Sequence, residues 1–249
     1  MNARSATLRV PFAALACTAA LIVVTACDNA STTRAKSGET KQDRSQNRSA
    51  AQKPTNGIGK APGREIYDKA TLANAAAGSF RERMDRSDTT TDLRLSATEC
   101  AGTVDKKDHG SFEIRVRGND VWASIDTTLA EELGNRVPAK QWVHGARDHP
   151  LMNALASYCH MEQLTHPDTA RTAPDKGALT ERDGRQAIPL RMTTGATTLT
   201  YLVAATGTPH LLAVDSSDHA EAGAITYSDF GRPVGARTPT ADVLEVQGR

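Results

Sequence analysis

The sequence predicts an α+β protein built on an antiparallel β-sheet, preceded by a targeting segment and a polar linker. Several segments alternate strictly between apolar and polar residues and are separated by turn residues, which is typical of antiparallel strands with one face on a core and the other in water. Two further regions carry apolar residues at helical spacing. The chain has 249 residues, which is enough for one large domain or two small ones.

The first helix is predicted in the segment REIYDKATLANAAAG, where the folded region begins. Apolar residues recur there at helical spacing, and Gly78 is a stop signal. The stripe that we expect to face the core consists of Ile66, Ala70, Ala73 and Ala77.

Three strands are predicted next, in the segments TTDLRLS, SFEIRVRG and DVWASID. The turn Gly118-Asn119-Asp120 separates the second strand from the third, and Trp122 stands opposite the apolar register of its strand. Pattern alone leaves open whether this tryptophan is an exposed contact or covers a sheet edge. The alternating apolar residues are Leu93, Leu95, Phe112, Ile114, Val116, Val121, Ala123 and Ile125.

A helical region is predicted over about residues 127–166. It contains a short helix, TTLAEELG, with Thr127 or Thr128 as its cap and Gly134 at its end. A longer helix, HPLMNALASYCHMEQL, follows and includes Cys159. Strands then resume in the segments ALTERD, QAIPLRM, TTLTYLVAA, PHLLAVD and AITYSDF.

The N-terminus has the layout of a secretory signal peptide, with Arg4 and Arg9 ahead of the apolar stretch 10–26. This stretch is rich in alanine and interrupted by proline, so it is marginal as a permanent span of roughly 20 apolar residues. An uncleaved N-terminal anchor is the alternative. The residues VTAC that end at Cys27 resemble the lipobox of bacterial lipoproteins, which implies cleavage after residue 26 and a diacylglyceryl group on the Cys27 thiol.

Residues 27–62 are predicted to be a disordered tether between this lipidated cysteine and a folded domain at 63–249. Positions 28–62 hold seven Lys or Arg and three Asp or Glu, and Ile58 is their only large apolar residue. Such a segment buries too little surface to offset its ordering entropy. Its charge favours anionic lipid headgroups, although a plain spacer with incidental lysines explains the same composition. The expected location is therefore the extracytoplasmic face of the cell membrane.

Two cysteines remain after Cys17 leaves with the signal peptide and Cys27 takes lipid. Outside the cytoplasm such a remaining pair, here Cys100 and Cys159, tends to form a disulfide. Two unpaired thiols are the alternative. A catalytic thiol is not supported, because Cys159 and His160 are neighbours in a predicted helix and do not form a triad.

Four segments resemble a group of actinobacterial lipoproteins with the LolA-like fold, which includes the mycobacterial LppX and LprG carriers. The resemblance runs from about residue 64 to 246, and its most specific parts are ECAG at 99–102 and YSDFG at 227–231. It implies a strongly curved antiparallel half-barrel that clasps helices on its concave face. It also implies a shelter for lipid acyl chains between the sheet and the helices. The segments are EIYDKATLANAAAGSF, DLRLSATECAGTV, FEIRVRGNDVWASID and ITYSDFGRPVGARTPTADVLEV.

We expect no enzyme, no cofactor and no metal site. The sequence has no Gly-x-Ser-x-Gly elbow, phosphate-binding glycine loop, His-Glu-x-x-His or CxxC motif. Capping and helix-terminus charge explain the carboxylates Asp126, Glu131 and Glu132. The net charge of +1 gives no sign of nucleic-acid binding. Four histidines cluster in the helical region, and we expect them to face solvent: His144, His149, His160 and His166.

Three hypotheses about function remain. The first is a carrier or sensor of a lipid or apolar ligand. The second is a tethered interaction module whose outer face, with Glu113, Arg115 and Arg117, meets an unknown partner protein. A hydrolase comes last. Under the first hypothesis nine residues would line the concave wall, although each of them also suits an ordinary core: Leu93, Leu95, Phe112, Ile114, Val121, Leu199, Tyr201, Leu212 and Ile225.

Overall fold

The computed structural model describes residues 55–165, 172–217, 223–240 and 242–246, except for the side chains at positions 162 and 163. The predicted signal peptide, Cys27 and most of the predicted tether lie outside these residues. Within them four α-helices are present: α1 (Gly63–Ala77), α2 (Thr127–Glu132), α3 (Pro150–Ala156) and α4 (Glu162–Thr165).

Thirteen strands of the described residues form one sheet. The first seven are β1 (Ser79–Arg86), β2 (Thr90–Ser96), β3 (Glu99–Asp105), β4 (Ser111–Arg117), β5 (Asp120–Ile125), β6 (Trp142–Ala146) and β7 (Asp175–Lys176). The others are β8 (Thr180–Arg182), β9 (Arg185–Thr194), β10 (Thr197–Ala204), β11 (Leu211–Ser216), β12 (Gly223–Ser228) and β13 (Val243–Glu245).

The sheet is open and almost entirely antiparallel. Its order is β13-β6-β5-β4-β3-β2-β1-β12-β11-β10-β9-β7, with β8 also paired to β9 and only β13–β6 parallel. One continuous apolar cluster contains residues of all the adjacent strands that lie between β6 and β9 in the order of the sheet, including these two. Residues of all four helices belong to the same cluster. We call the face that contacts this cluster the inner face. A sheet this wide reaches one shared core only by curving around the helices, so the predicted α+β fold with a curved antiparallel sheet is confirmed.

Helix α1 occupies the predicted segment and ends where expected. Gly78 adopts a left-handed conformation with φ 70°, and its N–H donates to the carbonyl of Ala75. The buried stripe differs in part from the prediction: Ile66 and Ala70 are buried, but Tyr67 joins them, while Ala73 and Ala77 are half-buried. The larger tyrosine side chain fills the space that an alanine stripe would leave empty.

The folded region begins ahead of the predicted boundary at residue 63. Ile58 is buried in the main cluster, and the Asn56 N–H donates to the Ala205 carbonyl at 2.7 Å. The Asn56 amide also donates to the carbonyls of Ala204 and Gly207. The one large apolar residue of the predicted tether therefore anchors its end to the domain.

The region predicted as purely helical contains a strand. Trp142–Ala146 forms β6, and the longer predicted helix is divided into α3 and α4, with Cys159 in the turn between them. The Ser157 hydroxyl donates to the Ala154 carbonyl where α3 ends. This break brings Cys159 to Cys100, and the structure joins the two in a disulfide with their Cα atoms 5.9 Å apart. Cys100 lies within β3.

The cap of α2 is Asp126 and not a threonine. Its carboxylate accepts hydrogen bonds from the Leu129 N–H and from the N–H and hydroxyl of Ser111, all at 2.8–2.9 Å. Burial by itself raises the pKa of Asp126, but these hydrogen bonds outweigh it and leave the pKa lowered. The carboxylate thus fixes α2 to β4, which accounts for it without a catalytic role.

Residues 230–240, which we call the strap, cross the outer face between β12 and β13. The Gly231 N–H donates to the Ser79 carbonyl at the start, and Arg115 donates to the Arg237 carbonyl at 3.1 Å further along. Trp122 lies on the same outer face and is only 8% exposed. It is therefore neither an exposed contact nor an edge cover; it belongs to a small second layer on the outside of the sheet.

Candidate functional site

Most of the predicted wall residues are ordinary core. Five of them lie on β2, β4 and β5 and are at most 3% exposed beneath the helices: Leu93, Leu95, Phe112, Ile114 and Val121. Tyr201 on β10 is also buried, and it packs edge-on against Tyr67 of α1 with ring centroids 5.4 Å apart. Close packing of this kind leaves little space for a ligand in the half of the inner face that α1 and α3 cover.

Leu212 does not belong to the inner wall. A β-bulge shifts the register between β10 and β11, so that Leu202 pairs with Ala213 but Val203 pairs with Leu211. The extra residue of the bulge interrupts the alternation of side chains between the two faces of the sheet. Leu212 consequently joins a separate small cluster with Leu202 and Ala213, away from the main core. The prediction that Leu212 lines the concave wall is wrong for this reason.

The remaining two wall residues, Leu199 and Ile225, are only half-buried. They lie on the inner face of β10 and β12, and two other half-buried residues, Met192 and Val214, adjoin them across the strands. We call these four residues the apolar strip. Its members contact the edge of the main cluster, and unlike the β2–β5 half of the face they keep part of their surface accessible.

Charged residues lie beside the apolar strip, on the inner face of β1. Phe80 faces the core, and strand alternation therefore places Glu82 and Arg86 on the same face. Glu82 pairs in register with Leu93 and Tyr227, while Met84 pairs with Thr91 and Ile225. This combination is unusual, because an inward-facing charge loses its hydration unless a partner replaces it.

Two polar groups on the inner face of β1 and β2 lack hydrogen-bond partners among the described residues. The Nε of Arg86 and the hydroxyl oxygen of Thr91 are both buried and unpartnered. Burial raises the pKa of Glu82 to about 7, opposed by the nearby positive charge of Arg86. Burial, with the Glu82 charge adding to it, also raises the pKa of the Tyr227 hydroxyl well above its usual value.

A groove of about 1040 Å³ opens at the other end of the inner face, beside β6 and β13. It lies between the sheet on one side and, on the other, the segment that follows α2 together with the start of α3. Its lining includes the charged residues Glu132, Arg136 and Glu245, and His149 there has a buried Nδ1 without a hydrogen-bond partner among the described residues. The apolar walls are formed by Leu133, Val137, Val143, Leu151, Leu244 and Val246.

None of the nine predicted wall residues lines this groove. The groove could not be predicted from the sequence, because neither β6 nor β13 was predicted as a strand. The signal available in the sequence was the apolar segment with Val243, Leu244 and Val246, and the structure leaves Leu244 44% exposed there.

The outer-face charges are largely engaged with one another. Arg115 donates to Glu113 at 2.8 Å, and its guanidinium lies 4.4 Å from the centre of the Trp142 ring. Arg117 is 3.7 Å from Glu99. Trp122 stacks on His144 with ring centroids 4.9 Å apart. These contacts are made within the domain and do not by themselves indicate a partner.

The histidines of the predicted cluster lie in different environments of the structure. His144 lies between Asp120 and Glu245, at 3.1 and 2.8 Å, and these hydrogen bonds outweigh burial and leave its pKa raised. His160 is exposed, and His166 lies outside the described residues. Within the described ranges no group of three His, Cys, Asp or Glu is placed to hold a metal ion. No helix among the same residues is both long and apolar enough to cross a membrane.

Comparison with known proteins shows similarity at the level of structure only. No protein-family model matches the chain, and no curated protein matches it. The Mycobacterium tuberculosis lipoprotein LppX is similar at 15% identity and a TM-score of 0.47, over 70% of this chain and 97% of that one. LprF from Mycobacterium bovis is similar at 11% identity and a TM-score of 0.49, over 73% of this chain and 100% of that one.

A LolA superfamily protein from Nitrosomonas europaea is also similar, at 13% identity and a TM-score of 0.22, over 68% of this chain and 92% of that one. The structures that resemble this chain thus include members of the group that its sequence resembles. At these TM-scores the likeness does not carry over a ligand or an activity.

Proposed function

We propose that this protein is a lipoprotein held at the extracytoplasmic face of the cell membrane by acyl chains on Cys27, and that it binds a lipid or other apolar ligand. The ligand site is the groove beside β6 and β13. The proposal makes it a carrier or sensor and not an enzyme. The basic tether between Cys27 and residue 55 leaves the domain free to meet ligand near the membrane surface.

The observation that carries this proposal is the groove itself. Its volume of about 1040 Å³ is just above the roughly 300–1,000 Å³ that small-molecule sites occupy. Its walls are continuous with the main core through Val143 and Leu151, so that a bound acyl chain would extend the core outward. Each buried methylene of such a chain contributes roughly 0.8 kcal/mol.

The alternative, a surface-tethered interaction module without a ligand, has less support. It needs a free outer face, and there Arg115 already contacts Glu113, Trp142 and the strap. The strap also covers part of the surface that a partner would reach. In the apolar groove, by contrast, Leu244 remains exposed in the free protein, so this surface is still available to a ligand.

Native mass spectrometry of the full chain carrying Cys27→Ser tests the ligand. Without its own acyl chains, the protein should still show added mass from a co-purified apolar molecule. Leu244→Arg places a charge in the groove and should abolish that added mass. Leu72→Arg is the matched control, because Leu72 is 57% exposed on α1 and outside the groove. A clean apo mass for the parent protein, or equal retention by both variants, would refute the groove as ligand site.

The anchor is tested separately by the intact mass of the protein extracted from membranes. We expect residues 1–26 to be absent and Cys27 to carry a diacylglyceryl group, and we expect Cys27→Ser to move the protein into the soluble fraction. Retention of the first 26 residues with a free thiol would contradict the anchor and leave the ligand result unaffected.

A further inference from the structure

The inner face of β1 and β2 brings three polar side chains to one place. Met84 and Thr91 form a cross-strand pair, with Glu82 two residues to one side of Met84 and Arg86 two residues to the other. Diagonal neighbours of this kind in a sheet are about 7–8 Å apart, within reach of long side chains. Thr91 therefore stands between the carboxylate and the guanidinium.

Arg86 is the unusual member of this group. Its Nε is buried without a partner, and among the described residues no carboxylate lies within 4.0 Å of its guanidinium. The other arginines of β1 differ, since Arg81 and Arg83 on the outer face both pair with Asp92. A guanidinium carries five donors in a planar fork that matches a carboxylate or phosphate. Arg86 is half-buried, so its donors are available in a place to which water has only partial access.

Thr91 supplies an independent second observation. It is 6% exposed, and its hydroxyl oxygen is buried without a hydrogen-bond partner in the part of the chain that the structure describes. A hydroxyl can donate to the same anion that the guanidinium binds. Beside Arg86 the register partner on β12 is Gly223, so no side chain from that strand fills the adjoining position on the inner face.

The apolar strip adjoins this polar group directly. Ile225 pairs with Met84 and with Val214, and one row further along Leu199 pairs with Met192. All four strip residues are half-buried, so an apolar chain that covers them removes accessible apolar surface from water. Anion donors at one end and an apolar strip beside them match an amphiphile.

We infer that Arg86 and Thr91 bind the anionic headgroup, a carboxylate or a phosphate, of an amphiphile whose apolar tail lies on Met192, Leu199, Val214 and Ile225. This site is separate from the groove. The two lie at opposite ends of the inner face, with strands β3 to β5 between them.

Glu82 makes this binding depend on pH. The titratable groups that act on it are Arg86 on the same strand and the hydroxyl group of Tyr227, which in turn adjoins Tyr201 and Tyr67. The pKa of Glu82 is raised by burial to about 7, so Glu82 is mostly neutral at pH 6 and mostly ionised at pH 8. An ionised Glu82 repels a second anion and competes for Arg86. Binding is therefore tighter at pH 6 than at pH 8.

Calorimetric titration of the full chain carrying Cys27→Ser tests the site, with dodecanoate and dodecyl phosphate as probes. Arg86→Gln should weaken the binding of at least one anionic probe tenfold or more, and Thr91→Val about three- to tenfold, as expected for charge-assisted and neutral hydrogen bonds. Arg83→Gln is the matched control on the outer face of the same strand and should change affinity by less than twofold. Arg86→Lys keeps the charge and should retain part of the affinity.

Two further probes separate the headgroup from the tail. Dodecanol has the same tail without charge, so its weaker binding should not respond to Arg86→Gln, whereas acetate and inorganic phosphate should bind far more weakly than the amphiphiles. Whichever of the two anionic amphiphiles binds more tightly identifies the headgroup. Leu244→Arg in the groove should leave these titrations unchanged, so that the two sites succeed or fail independently.

Several results would overturn the inference. One is the absence of binding by both anionic amphiphiles. Another is an equal loss of affinity in Arg86→Gln and Arg83→Gln. A third is acetate or phosphate binding as tightly as the amphiphiles, which would show that the tail makes no contact with the strip.

Discussion

The charged side chains of β1 show how one strand gives the same residue type two different environments. Arg81 and Arg83 point outward and share Asp92, with Arg81 contacting its carboxylate at 2.5–2.6 Å. These hydrogen bonds, of which the one from Arg81 has the largest effect, keep the pKa of Asp92 below its usual value. Glu82 and Arg86 point inward and lack such partners among the described residues. Exposed pairs of this kind are worth little, whereas an inward charge affects both stability and binding.

Replacement of Glu82 by glutamine should raise stability above about pH 4.5, most fully at neutral and alkaline pH. Burial moves the pKa of Glu82 from 4.5 to about 7, so the folded state favours the neutral form. The associated stability is fully present below about pH 4.5 and is lost as pH rises through 7. We expect Glu82→Gln to match the parent protein at pH 4.5 and to exceed it at pH 8 by up to about 3 kcal/mol.

Urea denaturation at the two pH values measures this difference. The exposed Glu131 supplies the control, since Glu131→Gln should leave the difference between pH 4.5 and pH 8 unchanged. An equal effect of Glu82→Gln at both values would mean that the carboxylate is not desolvated in the folded protein.

At the scale of single elements, β3 depends on a glycine for its fit to β2. Gly102 pairs with Leu93 and has φ 154°, and a Cβ atom there would lie 2.0 Å from the Asp92 carbonyl oxygen. Real atoms do not approach so closely, so the two strands would have to separate. The glycine of the ECAG segment is thus required by the packing of two backbones, and this explains its place within a strand that otherwise alternates.

Gly102→Ala should therefore destabilise the protein by about 3 kcal/mol or more, in the range of substitutions that force backbone strain. Gly118→Ala is the matched control: Gly118 also has a positive φ, of 60°, but a Cβ there meets nothing within 4 Å. That control should cost only about 1 kcal/mol. Thermal or urea unfolding of both variants decides the matter, and similar losses would show that the close approach to Asp92 relaxes easily.

The strands that the sequence pattern predicts are those with one solvent-accessible face. In β2 and β4 half-buried or exposed polar residues alternate with buried residues, which are apolar except for Thr91. Strand β6 escaped prediction because its outer face carries Trp142 and His144, which contact Arg115, Trp122 and Glu245. An outer face that is itself packed removes the alternation from the sequence.

At the scale of the whole molecule, the disulfide links the sheet to the segment that follows α3. Cys100 lies on β3, and Cys159 follows α3, 59 residues further along the chain. The bond holds the segment between α3 and α4 against the inner face, where Tyr158 packs against Phe112 with ring centroids 5.6 Å apart. The loop that it closes includes β4, β5 and β6.

Removal of this disulfide should lower stability by about 4 kcal/mol, the value that the chain-entropy model gives for a loop of this length. The double variant Cys100→Ala, Cys159→Ala is compared with the parent protein, oxidised and reduced, by urea unfolding. The reduced parent protein and the double variant should unfold together, and well before the oxidised protein. An oxidised parent that unfolds with the reduced one would show that the bond does not constrain the unfolded chain.

The sequence by itself determined the antiparallel strands, the first helix with its stop at Gly78, and the pairing tendency of Cys100 and Cys159. These features follow from local periodicity, turn residues and cysteine number. Only the tertiary structure decided that Leu212 leaves the inner wall, that Trp122 is buried on the outer face, and that Arg86 has no hydrogen-bond or ion-pair partner for its side chain among the described residues. Those outcomes depend on a bulge, on the pairing of β5 with β6 and on which strand becomes the neighbour of β1. No local pattern contains that information: β1, for example, pairs with β12 more than a hundred residues away.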